Sequence, residues 1–211
     1  ASGFIPQKEE APVGVVYNMK ICIWITKIFD LGGTKRVVSL LANELVKEHE
    51  VTIMTYEDRF REDRTMYHLS EDINVDFIDN SQFVNKHHTP AFCARYLVKK
   101  LNDRSGLFNK KSLNPILAEA IFPKKTREKW VEYFNSQDYD VILTTASLSL
   151  RLAMIAPRLK AATIGWQHNC YDGYLHVKPV VFWQQENLLQ QYLPNLDRYI
   201  VLSDYDKRDY M

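Results

Sequence analysis

The sequence predicts an α/β fold, a Rossmann-like doubly wound parallel sheet. Three observations point to it. Short apolar runs rich in β-branched residues recur along the 211 residues, helically spaced apolar positions separate them, and a glycine pair closes the loop after the first run. At 46% apolar residues the chain can bury a full core, and its length suits one domain or two small ones.

Taken in order, residues 1–18, ASGFIPQKEEAPVGVVYN, are rich in Pro, Gly and charge and precede Met19, the expected natural start. They read as a flexible leader or an appended extension, and residues 19–211 as one domain. Strands are expected at 21–25, 51–56, 75–78, 141–144, 162–166 and 199–202. A first helix should bury Val37, Val38, Leu41 and Leu45, and a later one Leu148, Leu152 and Ile155. Residues 90–134 break the alternation with two helical stretches in succession, PAFCARYLVKKLND and LNPILAEAIFPKKTREKWVEYF, expected as an inserted helical layer. The last stretch, LDRYIVLSDYDKRDYM, gives a strand, a Ser203 that caps a helix, and about two turns of that helix. The chain therefore reads as a piece of a longer protein.

Composition excludes several function classes. A net charge of +1 is not that of a polycation that coats nucleic acid. Cys22, Cys93 and Cys170 are odd in number and lack C-x-x-C spacing, so neither a disulfide framework nor a zinc knuckle is expected, and a reducing cytoplasm fits best. No apolar run approaches the roughly 20 residues that span a bilayer, and no signal-peptide core is present. The neighbours His87 and His88 have no third ligand beside them in sequence, so no metal is expected. Asp138 and Asp140 flank the turn into a strand and the acids between 57 and 79 read as a solvated rim, not as a paired-carboxylate hydrolase site.

Ligands of open α/β sheets bind beyond the carboxyl ends of the strands. Gly32 and Gly33 sit in the first such loop, and the helix opening at about Thr34 offers unpaired amides and a positive dipole end, a place that suits a phosphate. A plain tight turn explains the glycines equally well. Lys35 and Arg36 add charge, or are solvated helix residues. The G-x-G-x-x-G fingerprint of dinucleotide-binding enzymes is absent, although Glu57 follows the second strand where a ribose-binding acid of an NAD(P)-dependent oxidoreductase would sit. His168 leaves the fifth strand into the polar, aromatic stretch NCYDGY on the ligand side of the sheet.

IFDLGGTKRVVSLLANEL, WQHNCYDGYL and LDRYIVLSDYDKRDYM, in that order and spacing, resemble the N-terminal, acceptor-side half of GT-B fold retaining glycosyltransferases, the large bacterial nucleotide-sugar-dependent family. The resemblance covers roughly residues 19–211. It implies one half of a two-domain fold, with a second, donor-binding domain outside this chain that carries a characteristic glutamate pair; the chain alone should bind without turning over. It implies transfer of a sugar from a nucleotide-sugar donor to a polysaccharide, glycolipid or teichoic-acid-like acceptor, as in cell-envelope polysaccharide biosynthesis, with no cofactor. It places Gly32, Gly33 and Thr34 at the donor phosphates and makes His168 the catalytic contact, because an imidazole can donate to a sugar hydroxyl or a developing phosphate charge. Asn169, Tyr171 and Asp172 become acceptor contacts, joined by Ser147, a helix cap first and a ligand contact second. A non-catalytic carbohydrate- or polymer-binding module of the same shape is the alternative, with the oxidoreductase behind it.

Between Arg95 and Lys129 ten basic residues face three acidic ones, interleaved with apolar residues at helical spacing. Lys99, Lys100, Lys110, Lys111, Lys124 and Lys125 are the expected contacts to an anionic membrane surface or a polyanionic acceptor, with ordinary core and solvated lysines as the plain alternative. The expected location is the cytoplasm or the inner face of the membrane. No nucleic-acid recognition module is visible.

Overall fold

A computed structural model of the chain describes residues 18–57, 59–83, 89–177 and 181–210. His87 and His88 lie outside the described residues, as do nearly all of the leader and Met211.

Six strands form one sheet in the order β3-β2-β1-β4-β5-β6, and every pairing is parallel. They are β1 (Lys20–Trp24), β2 (Glu50–Thr55), β3 (Asn74–Phe77), β4 (Val141–Thr145), β5 (Ala162–Trp166) and β6 (Arg198–Ile200). Each agrees with an expected strand to within two residues at either end; β1, β2 and β4 are buried on both faces and write themselves as continuous apolar runs, whereas the edge strands β3 and β6 are only partly covered. Alternation divides β1 between two cores. Ile21 and Ile23 join Val38, Ala42, Val51, Ile53 and Leu143 on one face, and Cys22 and Trp24 join Trp130, Phe134, Ile142 and Leu152 on the other. Cys22 is fully buried, and that burial drives its thiol pKa far above the ordinary range, so it is inert.

The helices are α1 (Gly33–Leu45), α2 (Pro90–Ser105), α3 (Asn114–Ile121), α4 (Lys124–Ser136), α5 (Ser147–Ile155), α6 (Tyr171–Leu175), α7 (Glu186–Tyr192) and α8 (Asp204–Tyr210). In α1, Val38 is buried while Val37, expected inside, points outward. Leu148, Leu152 and Ile155 of α5 are buried as expected. The second of the two stretches expected in residues 90–134 is two helices: Pro123 interrupts it and occupies the position before α4. Ser203 caps α8, its hydroxyl accepting the Asp206 amide at 3.1 Å and donating to the Asp206 carboxylate at 2.7 Å.

Candidate functional site

The strand order reverses between β1 and β4, and at such a point the loops on either side part to leave a crevice at the carboxyl edge. A cleft of about 640 Å³ lies there. It is lined from β1 by Ile25, Thr26 and Lys27, from α1 by Thr34 and Lys35, from β2 by Tyr56 and Glu57, and from β4 by Thr145 and Ala146, with Arg61 at its rim. Register explains the convergence: Trp24 pairs with both Met54 and Thr144, so the three strands end level and their next residues share one edge.

Two helices open into this cleft without a side-chain cap. Gly32 and Ala146 hold the cap positions of α1 and α5, and neither contributes a side-chain hydrogen bond. Ser147, expected to cap, is the first residue of α5 instead. Ala146 takes φ 50 and ψ −127, a strained conformation for a residue with a Cβ, and that bend turns the chain sharply from β4 into the helix. Lys27 pairs with Asp30 at 3.5 Å. Together the Leu31 amide and Lys27 hold the Asp30 carboxyl below its usual range. Lys35 folds back over the glycine loop: a Cβ at Gly32 would come within 3.0 Å of its Nζ, whereas one at Gly33 would meet nothing within 4 Å. Arg36 points to solvent. Thr34 therefore lines the cleft, Gly32 lies beneath Lys35, and Gly33 is open.

The buried Glu57 is the acid of this lining, and its Oε2 accepts the amides of Ile28 at 2.6 Å and Phe29 at 2.9 Å. It pins the β1–α1 loop from below. Tyr67 pins it from outside, its hydroxyl accepting the Gly32 amide at 2.9 Å. The other Glu57 oxygen, Oε1, is buried without a hydrogen-bond partner among the described residues, so Glu57 serves the loop through Oε2 alone. Neither clamp was visible in sequence, because both bonds run to backbone.

His168 belongs to the same edge but does not line this cleft. Trp166 pairs with Thr145, so the residues after β5 run beside the start of α5. The imidazole is half-buried against the Trp166 ring, centroids 4.3 Å apart, and its Nε2 is buried with no hydrogen-bond partner among the described residues. Burial lowers its pKa, which keeps the ring neutral. The candidate acceptor residues are dispersed. The Asn169 carbonyl accepts Gln167 Nε2, and its side-chain oxygen accepts the Cys170 amide. Asp172 pairs with His176 at 2.8 Å. Tyr171 donates to Glu186 at 3.1 Å and lines a second cleft of about 580 Å³ beyond β6 with Leu189, Leu196, Tyr199 and Tyr210. That cleft is largely apolar in its lining and lies away from the strand reversal. No group of three or more His, Cys, Asp or Glu is placed to hold a metal among the described residues.

The family model of Glycosyltransferase Family 4 matches residues 31–211, from the glycine loop through α8. No curated protein matches the chain.

Proposed function

The chain belongs to glycosyltransferase family 4, and on that footing we propose that the cleft between β1 and β4 receives the phosphates of a nucleotide-sugar donor. The observation that carries the reading is the pair of uncapped helix starts facing one crevice with Lys27, Lys35 and Arg61 around it. When the bond between the sugar's anomeric carbon and the phosphate oxygen breaks, negative charge grows on the departing nucleoside diphosphate. Fixed amides and ammonium groups already aimed there stabilise that charge without reorganising. His168 Nε2 is unpartnered but buried, so the loop after β5 would have to shift before the neutral ring could hydrogen-bond a donor hydroxyl or phosphate oxygen.

Glu57 Oε2 is committed to two backbone amides, which makes this acid part of the loop's support, and the transfer is taken as retaining from the family resemblance. Base and ribose contacts are assigned to a second Rossmann-like domain, and metal and cofactor are not required. Ser147 at the start of α5 and Asn169 after β5 stand where a polysaccharide, glycolipid or teichoic-acid-like acceptor would enter. Tyr171 and Asp172 already hold Glu186 and His176, so an acceptor would have to displace those bonds to use them.

Titration with UDP and GDP, followed by amide chemical shifts, tests the reading. Gly33, Thr34, Lys35, Thr145, Ala146 and Ser147 should move together, and Lys35→Ala should weaken the effect about tenfold, the scale of one charge-assisted phosphate contact. Shifts gathering around Tyr171 and Tyr199, or an NAD complex tighter than the UDP complex, would defeat it.

A further inference from the structure

α2 is a 16-residue helix whose one buried residue is Asn102. Its local signals are complete: Thr89 accepts the Phe92 amide, Pro90 opens the first turn, and Gly106 closes the helix with a left-handed φ of 66. Asn102 fastens it, donating to the Gln184 carbonyl at 2.7 Å and accepting the Phe108 amide at 3.0 Å. At 100° per residue, Asn102, Val98 and Arg95 form the inward side, and the opposite side carries Cys93, Tyr96, Leu97, Lys100, Leu101 and Arg104. Tyr96, Leu97 and Leu101 are 53%, 57% and 48% exposed. A helix that was only a covering layer would turn such residues inward.

This outward side mixes apolar and basic residues. By the same spacing Lys100 and Arg104 flank Cys93, and Leu97 and Leu101 follow toward Ala94 and Val98, which with Arg95 share a shallow groove of about 390 Å³ with Pro115, Ile116 and Glu119 of α3. Lys99 lies about 60° from Asn102, outside this face; Lys99, Lys100 and Arg104 are all exposed. The remaining candidate lysines, Lys110 and Lys111 before α3 and Lys124 and Lys125 at the start of α4, are exposed as well, on separate elements.

We propose that this face of α2, with the adjoining edge of α3, docks on the surface of an anionic phospholipid bilayer, the leucines entering the headgroup boundary and Lys100 and Arg104 meeting lipid phosphates. Charge selects that occupant. The basic residues crowd into a segment with ten cations against three acids in a chain whose total is only +1, so a second copy would set like charge against like charge. No helix among the described residues is long and apolar enough to cross a membrane, so the contact is with the surface. The docking face is separate from the β1–β4 cleft and stands or falls independently of the nucleotide reading.

A fluorophore on Cys93 tests it, in a chain whose other exposed cysteine is changed by Cys170→Ser. Vesicles of phosphatidylcholine mixed with phosphatidylglycerol should shift the emission to the blue, and pure phosphatidylcholine should not. Raising salt should weaken binding steeply as the charges are screened. Lys100→Gln with Arg104→Gln should weaken it about thirtyfold. Leu97→Ser with Leu101→Ser should weaken it about tenfold while leaving the circular dichroism unchanged. Lys47→Gln, an exposed lysine in the turn after α1, should leave binding unchanged. Equal response to both vesicle types, no response to either, or an effect of Lys47→Gln as large as that of the α2 pair would overturn the proposal. So would a dimer in solution that Leu97→Ser with Leu101→Ser dissolves, which would give the face to a second copy.

Discussion

At the scale of single residues, the glycine pair and Glu57 separate what the loop needs in order to fold from what it needs in order to bind. Glu57 holds two amides that would otherwise be left without partners in a buried place. Glu57→Ala should therefore cost about 2–4 kcal/mol in urea unfolding, since each orphaned amide is worth roughly 1–3 kcal/mol. A loss below about 1 kcal/mol would mean that solvent reaches those amides after all. Gly33→Ala should leave stability unchanged, because a Cβ there meets nothing, and yet reduce the UDP-induced shifts if a phosphate approaches that open side. His168 supplies a pH dependence with a definite sign. Its folded pKa lies below the ordinary value of about 6.5, so the unfolded chain binds the proton more tightly and stability falls as pH drops below that value. His168→Gln should flatten that limb of the stability profile, and an unchanged slope would show that other groups carry it.

At the scale of elements, the central strands β1, β2 and β4 were legible because burial on both faces leaves a period-free apolar run, and α5 was legible because its helical stripe is wholly buried. Other features hid for physical reasons. Val37 and Val38 are chemically equivalent neighbours, and only the angle of α1 on the sheet decides which is inside. The stretch through Pro123 reads in sequence as one helix because its apolar spacing continues past the proline, but an interior proline removes a bond and clashes with the preceding turn, so the helix breaks there. Ala146 gave no signal at all, because a left-handed turn is written by glycine or asparagine far more often than by alanine. The glycine loop could be located from its sequence, but its clamps Glu57 and Tyr67 could not, since side-chain bonds to backbone leave no spacing rule. The α4 helix offers the test of packing at this scale. Its Trp130 is buried against Trp24 at 4.6 Å and stacked on Phe83 at 3.9 Å between ring centroids. Trp130→Ala should cost about 3–5 kcal/mol and loosen α4 together with Phe83, seen as lost near-ultraviolet dichroism. A cost near that of a surface change would mean that the aromatic cluster re-forms without its central ring.

Across the whole molecule, stability should be unevenly spread, and the spread should follow burial. β1 and β4 lie at the centre of the sheet, each hydrogen-bonded on both sides and packed between two cores. β3 and β6 are edges, and α2 is held chiefly by Asn102, by the Trp183 indole donating to the Asp103 carbonyl at 2.9 Å, and by packing on α3. Local opening costs little where few apolar contacts are lost. Amide hydrogen exchange should therefore be slowest in β1 and β4, whose opening requires global unfolding, and much faster in α2 despite its complete caps. Capping sets whether the helix forms, whereas burial sets how often it lifts away. Anionic vesicles give the second half of this prediction, since a docked α2 loses its freedom to lift and its amides should slow while those of β1 and β4 keep their rates. Exchange in α2 as slow as in β1 would show a helix fixed by the core, and the exposed leucines would then need no membrane to explain why the helix stays in place.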